Sequence, residues 1–538
     1  MAIASPALAT PRREDLGELI VLHLYGTYRE MGRQHVELLG PLAREIYDLQ
    51  RADWSRLISS LGLLGRMFNA TLPPFWESVW SGLEGSGMYE EIAGMGEGLG
   101  ISGAEAFRGV MGVLGSGTTT LVATRSATAD GGAIVAKNSD WTDMYGVRRP
   151  VVAHYKPTNG DLPHVMATWP LLNCPVMGVN STGFAIGINF FMADQVLGVG
   201  PTQWPWRRAL QKATSVREGI RIFRQARNRG ISGFFSMADA AGDIALLEVA
   251  PLRMAVARPR DDWFAQANHA RTKKMVPHDR GGSPNSYRRR AAMESAVRPH
   301  LGRITPDVAA QILRDRSNTP YVNDPAVGSV FSLNSTVVHA ATRTLWHSTA
   351  KQPQAPYGEM VPFTAGDAPA TVAPIAADAG FGGEEFRHLA SLVAELRHSV
   401  RLFDSGDREE AGALLDRLAE QNDPALQPHR LAWARARIRI ALRRWDEAEN
   451  LLAPLDVDET GFDIRAQVII ARAWVADLTG RRNQALDLYR RALAYLDAYP
   501  QYNHAFTVAP MRGWIGAGLN APQSSHDLPE TPHLLNVP

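Results

Sequence analysis

The chain has 538 residues, with 56 basic side chains against 55 acidic ones and a formal net charge of +1, a balance that gives neither a nucleic-acid footprint nor a polybasic membrane anchor. Hydrophobic residues at 45% and charged residues at 21% exclude long disorder and fibrous repeats, and at ~150 residues per domain the length allows two to four domains. The single cysteine, Cys174, excludes an intrachain disulfide and any multi-thiolate metal site.

The N-terminus, MAIASPALATPRRED, has no basic start and no sustained apolar stretch before Arg12 and Arg13, so no secretory signal is expected. Leu171–Met192, the most apolar region, is interrupted by Asn173, Asn180, Ser181, Thr182 and Asn189, too polar for a bilayer span of ~20 residues. A soluble, cytoplasmic protein is expected.

Residues 14–110 read largely as helix: Arg33–Leu39 continues through Leu42, Ile46 and Leu49 at helical spacing. From about 117 to 350 the pattern turns to short strands, such as Thr119–Ala123, the Asp130-Gly131-Gly132 turn, Ala133–Ala136 and Phe184–Ile188. Helical stretches interrupt that zone at 207–227 and 286–296, with a third near 306–314, which favours an α+β layered core. Residues 351–383, with Pro353, Pro356, Pro362, Pro369 and Pro374 among many Ala and Gly, suit an extended connector.

Helical patterning resumes over 384–500 and repeats. Ala411, Ala448 and Ala485 recur at a 37-residue step, and Leu414, Leu451 and Leu488 keep it, which resembles stacked tetratricopeptide-type hairpins of usual period ~34. Residues 501–538, rich in proline beyond 520, are expected as a partly disordered tail.

Gly94-Met95-Gly96-Glu97-Gly98-Leu99-Gly100 has the look of a phosphate-cradling loop, but it follows an acidic helical stretch and no βαβ unit surrounds it. Cys174, between Asn173 and Pro175 in an apolar run, reads as a small core residue; a thiol enzyme built on it would lack a placed histidine partner. The 15 histidines show neither HExxH spacing nor a His/Cys cluster, so no metal or cofactor is expected.

The informative stretch is Gly115–Ala123, followed by Asp130-Gly131-Gly132 and Lys137-Asn138-Ser139-Asp140-Trp141. By composition it is a β-hairpin with a hydroxyl-rich first strand. Gly117-Thr118-Thr119-Thr120, Ala127-Thr128-Ala129-Asp130-Gly131 and Asn138-Ser139-Asp140-Trp141 together resemble the opening hairpin of the isopenicillin N acyltransferase family. Those are self-cleaving N-terminal-nucleophile (Ntn) enzymes related to bile salt and penicillin V hydrolases. Further segments agree in order: Gly32-Arg33-Gln34-His35, Glu90–Gly98, Gly178–Phe184, Ile188-Asn189-Phe190, Ala267-Asn268-His269 and Ser286-Tyr287-Arg288. The resemblance spans about 20 to 350.

The resemblance implies an Ntn αββα sandwich over 118–350, an N-terminal helical segment (1–117) that stays associated after cleavage at Gly117–Thr118, and an acyltransferase or amide hydrolase. The family nucleophile is normally Cys; here Thr118 stands in its place, with Ser116, preceded by Gly115, as a second candidate. Thr118 would attack the Gly117 carbonyl and afterwards use its own freed amine as base. Asp140 would accept a hydrogen bond from that amine. Asn189 and Asn268 would donate to the oxyanion, and Arg288 would buttress the nucleophile. Lys137 stands where bile salt hydrolases have Arg, and a lysine cannot copy the bidentate fork. The expected partners are a small-molecule acyl donor and an amine or water acceptor, with a protein bound through the helical repeats. The alternative is an inactive Ntn-like scaffold that recruits a partner.

Overall fold

A computed structural model of the chain describes residues 10–60, 87–106, 117–140, 149–194, 204–226, 229, 232–322, 324, 326–366, 372–504 and 507–524. Two compact units result: one holds the chain up to His278, Met293–Asp315 and Phe331–Phe381, the other Asp279–Ala292, Arg316–Val330 and the chain from Gly382.

The first unit contains two sheets among its described residues. The strands are β1 (Arg12–Leu16), β2 (Leu19–Gly26), β3 (Gly117–Arg125), β4 (Gly131–Asp140), β5 (Val151–Pro157), β6 (His164–Thr168), β7 (Met177–Asn180) and β8 (Ala185–Phe190). They continue with β9 (Gly233–Ala238), β10 (Ile244–Ala250), β11 (Arg253–Ala257), β12 (Trp263–Gln266), β13 (Ser332–His339), β14 (Thr344–Ser348) and β15 (Met360–Thr364). A nine-stranded sheet runs β1-β2-β5-β6-β7-β8-β9-β10-β11, and a six-stranded sheet runs β12-β3-β4-β13-β14-β15. β2 and β5 pair in parallel.

Side chains alternate across a strand, and that alternation sorts the core. Val122, Val135, Val338 and Leu345 of the smaller sheet meet Val21, Val152, Val165, Val179 and Leu246 of the larger one. The larger sheet's opposite face buries Ile20, Leu22, Val151, Ile186 and Phe235 under helices α1 (Tyr28–Leu39), α2 (Pro41–Ser60), α3 (Gly87–Leu99), α4 (Trp204–Lys212) and α5 (Val216–Gln225). Of the later helices, α6 spans Pro284–Val297, and α7 (Pro306–Leu313) lies against β4 and β13. The order helix, sheet, sheet, helix is an αββα sandwich.

Three boundaries differ from expectation. The N-terminal segment is not purely helical, because β1 and β2 join the larger sheet; Leu19–Leu22 is buried on both faces, so it reads as an unbroken apolar run without strand alternation. The expected connector supplies β15, paired to β14 with Phe363 opposite Leu345. The expected tail holds a helix, Val508–Asn520, while its last residues lie outside the described set.

α1 begins at a capping box, in which Thr27 accepts from the Glu30 N–H and the Glu30 carboxylate accepts from the Thr27 N–H. It then packs closely on α3. A Cβ placed at Gly32 would stand 2.0 Å from the Glu91 carbonyl oxygen, and one at Gly94 would stand 2.0 Å from that of Arg29. The glycine run is therefore a helix-crossing surface.

The second unit is helical: α8 (Glu384–Ser405), α9 (Arg408–Glu420), α10 (Pro428–Ala441), α11 (Trp445–Leu452), α12 (Phe462–Leu478), α13 (Arg482–Asp497) and α14 (Val508–Asn520), each packed on the next. Ala411, Ala448 and Ala485 sit one each in α9, α11 and α13, all fully buried. No helix among the described residues is long and apolar enough to cross a membrane.

Candidate active site

The hairpin β3–β4 carries the expected site. Gly117 pairs with Asp140, Thr118 with Ser139 and Thr120 with Lys137. In antiparallel strands directly paired residues share a face, so Thr118, Thr120, Ser139 and Lys137 point one way. Thr120 Oγ1 donates to Asn189 Oδ1 of β8 at 2.7 Å, and Lys137 Nζ donates to the Val176 carbonyl at 2.9 Å. Those contacts show the direction: the space between the two sheets. Thr118 and Lys137 are both buried. Burial pushes the Lys137 amine down to about 7, with the Asp140 charge pulling the other way.

Asn268, two residues beyond β12, receives the Thr118 N–H on its Oδ1 at 2.8 Å and donates through Nδ2 to the Phe190 carbonyl at 2.9 Å. It thus holds the Thr118 nitrogen in the uncleaved chain. Asp140 ends β4; strand alternation turns it to the face opposite Thr118, where Ser332 Oγ donates to its Oδ1 at 2.6 Å.

Asn189 has a different task from the one expected. Its Nδ2 is directed at the main-chain carbonyls of Gln266 at 3.1 Å, Ala267 at 3.0 Å and Thr118 at 3.5 Å. It ties β8 to β12 and β3 instead of offering donors to a substrate oxygen. Arg288 lies on α6 within the second unit, where its guanidinium faces Asp324 at 3.7 Å. Ser116 and Trp141 lie outside the described residues.

The sequence reading missed Glu248. It is fully buried on β10 and its carboxylate accepts from the Arg271 N–H at 2.6 Å and the Thr272 N–H at 3.1 Å, as well as from the Thr272 hydroxyl. That clamp fixes the loop that begins with Asn268. The available signal was one glutamate inside the otherwise apolar run Ile244–Ala250, since a fully buried carboxylate must be hydrogen-bonded.

A second buried polar group joins the N-terminal helices to the larger sheet. Arg207 of α4 pairs with Glu91 of α3 at 3.2 Å, and its guanidinium stacks 4.2 Å above the Tyr155 ring, whose hydroxyl donates to Glu91 at 2.6 Å. Cys174 is buried near these charges, and burial pushes its thiol pKa up, the opposite of an activated nucleophile. No cluster of three or more His, Cys, Asp or Glu able to hold a metal occurs among the described residues.

A two-sheet αββα sandwich with a hydroxyl-bearing residue at the head of an inner strand is the Ntn-hydrolase arrangement. Residues 127–351 match the family model described as acyl-coenzyme A:6-aminopenicillanic acid acyl-transferase. Over that span the resemblance read from the sequence is borne out. The match contains Lys137, Asp140, Asn189 and Asn268 and begins nine residues past Thr118. No curated protein sequence is similar enough to match.

Among solved structures, the chain is similar to a Caenorhabditis elegans N-acylethanolamine-hydrolyzing acid amidase ortholog, at 14% identity and TM-score 0.32, covering 41% of this chain and 93% of that one. It is also similar to penicillin V acylase from Agrobacterium tumefaciens, at 14% and 0.30, covering 44% and 84%. A C2A mutant of the conjugated bile acid hydrolase from Clostridium perfringens matches at 11% and 0.30, covering 47% and 99%.

Proposed function

We propose that this chain is a self-cleaving Ntn-type acyltransferase or amidohydrolase whose nucleophile is Thr118. The observation that supports it best is the Thr118 main-chain nitrogen held by Asn268 while the side chain faces the space between the sheets. Cleavage at Gly117–Thr118 would leave that nitrogen as an α-amine already oriented by an acceptor. An α-amine has a reference pKa of ~7.7–8, so near neutrality part of it is free to take the Thr118 hydroxyl proton. The hydroxyl oxygen then attacks the carbonyl of a linear amide or thioester, the leaving amine or thiol departs with a proton, and water or an amine takes the acyl group. Asp140, opposite Gly117 in the strand register, would adjoin the new chain end.

The N-terminal segment would remain in place because β2 is embedded beside β5 in the larger sheet. The helical second unit is proposed as a tetratricopeptide-like partner surface, and the enzyme as a cytoplasmic one of secondary metabolism. Incubation with a panel of acyl donors followed by peptide mass spectrometry tests the assignment. Acyl adducts on the Thr118 peptide support it; adducts elsewhere, or turnover unchanged in Thr118→Ala, refute it.

A further inference from the structure

Self-cleavage raises a problem that turnover does not. Before the Gly117–Thr118 bond breaks, the Thr118 nitrogen is an amide and cannot take up the hydroxyl proton, so the first step needs another base. On the smaller sheet, the described residues that share the inner face around Thr118 are Thr120 on its own strand, Gln266 on β12, Ser139 and Lys137 on β4, Asn334 and Thr336 on β13, and His347 on β14. All are buried. The hydroxyls and the amides are not bases at neutral pH, and Asp140 is turned to the opposite face with Ser332 on its carboxylate.

His347 and Lys137 remain. His347 lies two strands beyond Lys137, across Thr336, with its Nδ1 set 2.7 Å from the Ser348 carbonyl. Lys137 is directly opposite Thr120 and therefore diagonal to Thr118, a spacing of ~7–8 Å between main chains that a long side chain can bridge. We propose that Lys137 is the proton acceptor for self-cleavage at Gly117–Thr118, an inference that rests on Thr118 being the residue that cleaves.

In the step, the neutral Lys137 amine takes the Thr118 Oγ proton as Oγ bonds to the Gly117 carbonyl carbon. The tetrahedral adduct collapses with rupture of the Gly117–Thr118 C–N bond, and the Lys137 ammonium returns its proton to the departing Thr118 nitrogen. An ester and a free amine result. Water then hydrolyses the ester, giving the Gly117 carboxylate and regenerating the Thr118 hydroxyl.

Burial supports this assignment. It brings the Lys137 amine down to about 7, against the opposing pull of Asp140, so the neutral form is accessible near neutrality. Burial likewise lowers His347, to about 4, leaving it uncharged over the same range. Of the two groups that remain on this face of the smaller sheet, Lys137 is the one whose charge changes near pH 7.

The test uses full-length chain from cell-free synthesis, shifted into buffers between about pH 5.5 and about pH 9, with conversion to the two fragments followed on gels. General-base catalysis is worth ~10²–10⁴, so Lys137→Met and Lys137→Arg should each slow cleavage at least ~100-fold; arginine keeps the charge but cannot give up its proton. The wild-type rate should rise as pH rises through about 7 and then level off. No free Thr118 amine exists in the precursor to produce that inflection. The wild-type profile stands as evidence even where a Lys137 variant misfolds. A pH-independent wild-type rate, or a folded Lys137→Arg chain that cleaves at the wild-type rate, overturns the proposal and leaves Thr118 as nucleophile. A wild-type chain that never cleaves refutes the Thr118 reading itself.

Discussion

Truncating Glu91 gives a prediction whose size follows from its surroundings. Glu91 is fully buried on α3 and carries the Arg207 guanidinium at 3.2 Å and the Tyr155 hydroxyl at 2.6 Å. Glu91→Ala leaves the guanidinium buried without its carboxylate, a change that costs about 3–5 kcal/mol in comparable settings. At ~1.4 kcal/mol per tenfold, that is roughly a hundred- to several-thousand-fold in the equilibrium that keeps the N-terminal helices on the sheet. In a chain cleaved at Gly117–Thr118 the same pair would join two fragments. Gel filtration should then show the small fragment leaving the large one in the variant, and urea unfolding should show an earlier transition. The double change Glu91→Leu with Arg207→Met removes both charges and should lose far less. Unchanged retention and unfolding in Glu91→Ala would refute the pair as a fastening.

Gly32→Ala should lower the unfolding midpoint of the sandwich, since its Cβ would collide with the Glu91 carbonyl oxygen and overpacking of that kind costs ~1–3 kcal/mol or more. Asn268→Ala should cut turnover ~10–100-fold with the fold intact, since a hydrogen bond to a charged group such as the freed amine is worth ~1.5–3 kcal/mol. Glu248→Gln should mimic it more weakly, because its NH2 group would face the N–H donors of Arg271 and Thr272; activity and circular dichroism check both. Acid should destabilise the first unit: burial lowers His35 and His347 to about 4 and His154 to about 3, from an ordinary 6.5. The unfolded chain therefore binds protons that the folded one refuses. Stability is full above about pH 6.5 and falls below it, by about 1.4 kcal/mol per pH unit per histidine; a urea midpoint equal at about pH 7.5 and about pH 5 would contradict this.

The sequence showed the sandwich through its hydroxyl-rich hairpin and the order of its motifs. β2 was hidden because both its faces are buried, which erases the strand period over Leu19–Leu22. β15 was masked by Pro362, which pairs with Trp346 in the outermost strand of the smaller sheet, where a missing N–H can be tolerated. At the site, residue identity pointed to Thr118 and Asn268. Which atom of each amide is engaged, and with what, depends on the separation of two sheets, which motif spacing does not encode. Hence Asn189 became a tie between strands, Asn268 the holder of the Thr118 nitrogen, and Glu248 entered only with the fold.

Intact-mass analysis of purified wild type beside Thr118→Ala probes the account at its root. The account predicts two wild-type species ending at Gly117 and beginning at Thr118, held together until denatured, and one unbroken species for the variant. A single full-length wild-type mass, or the same two fragments from Thr118→Ala, would contradict it.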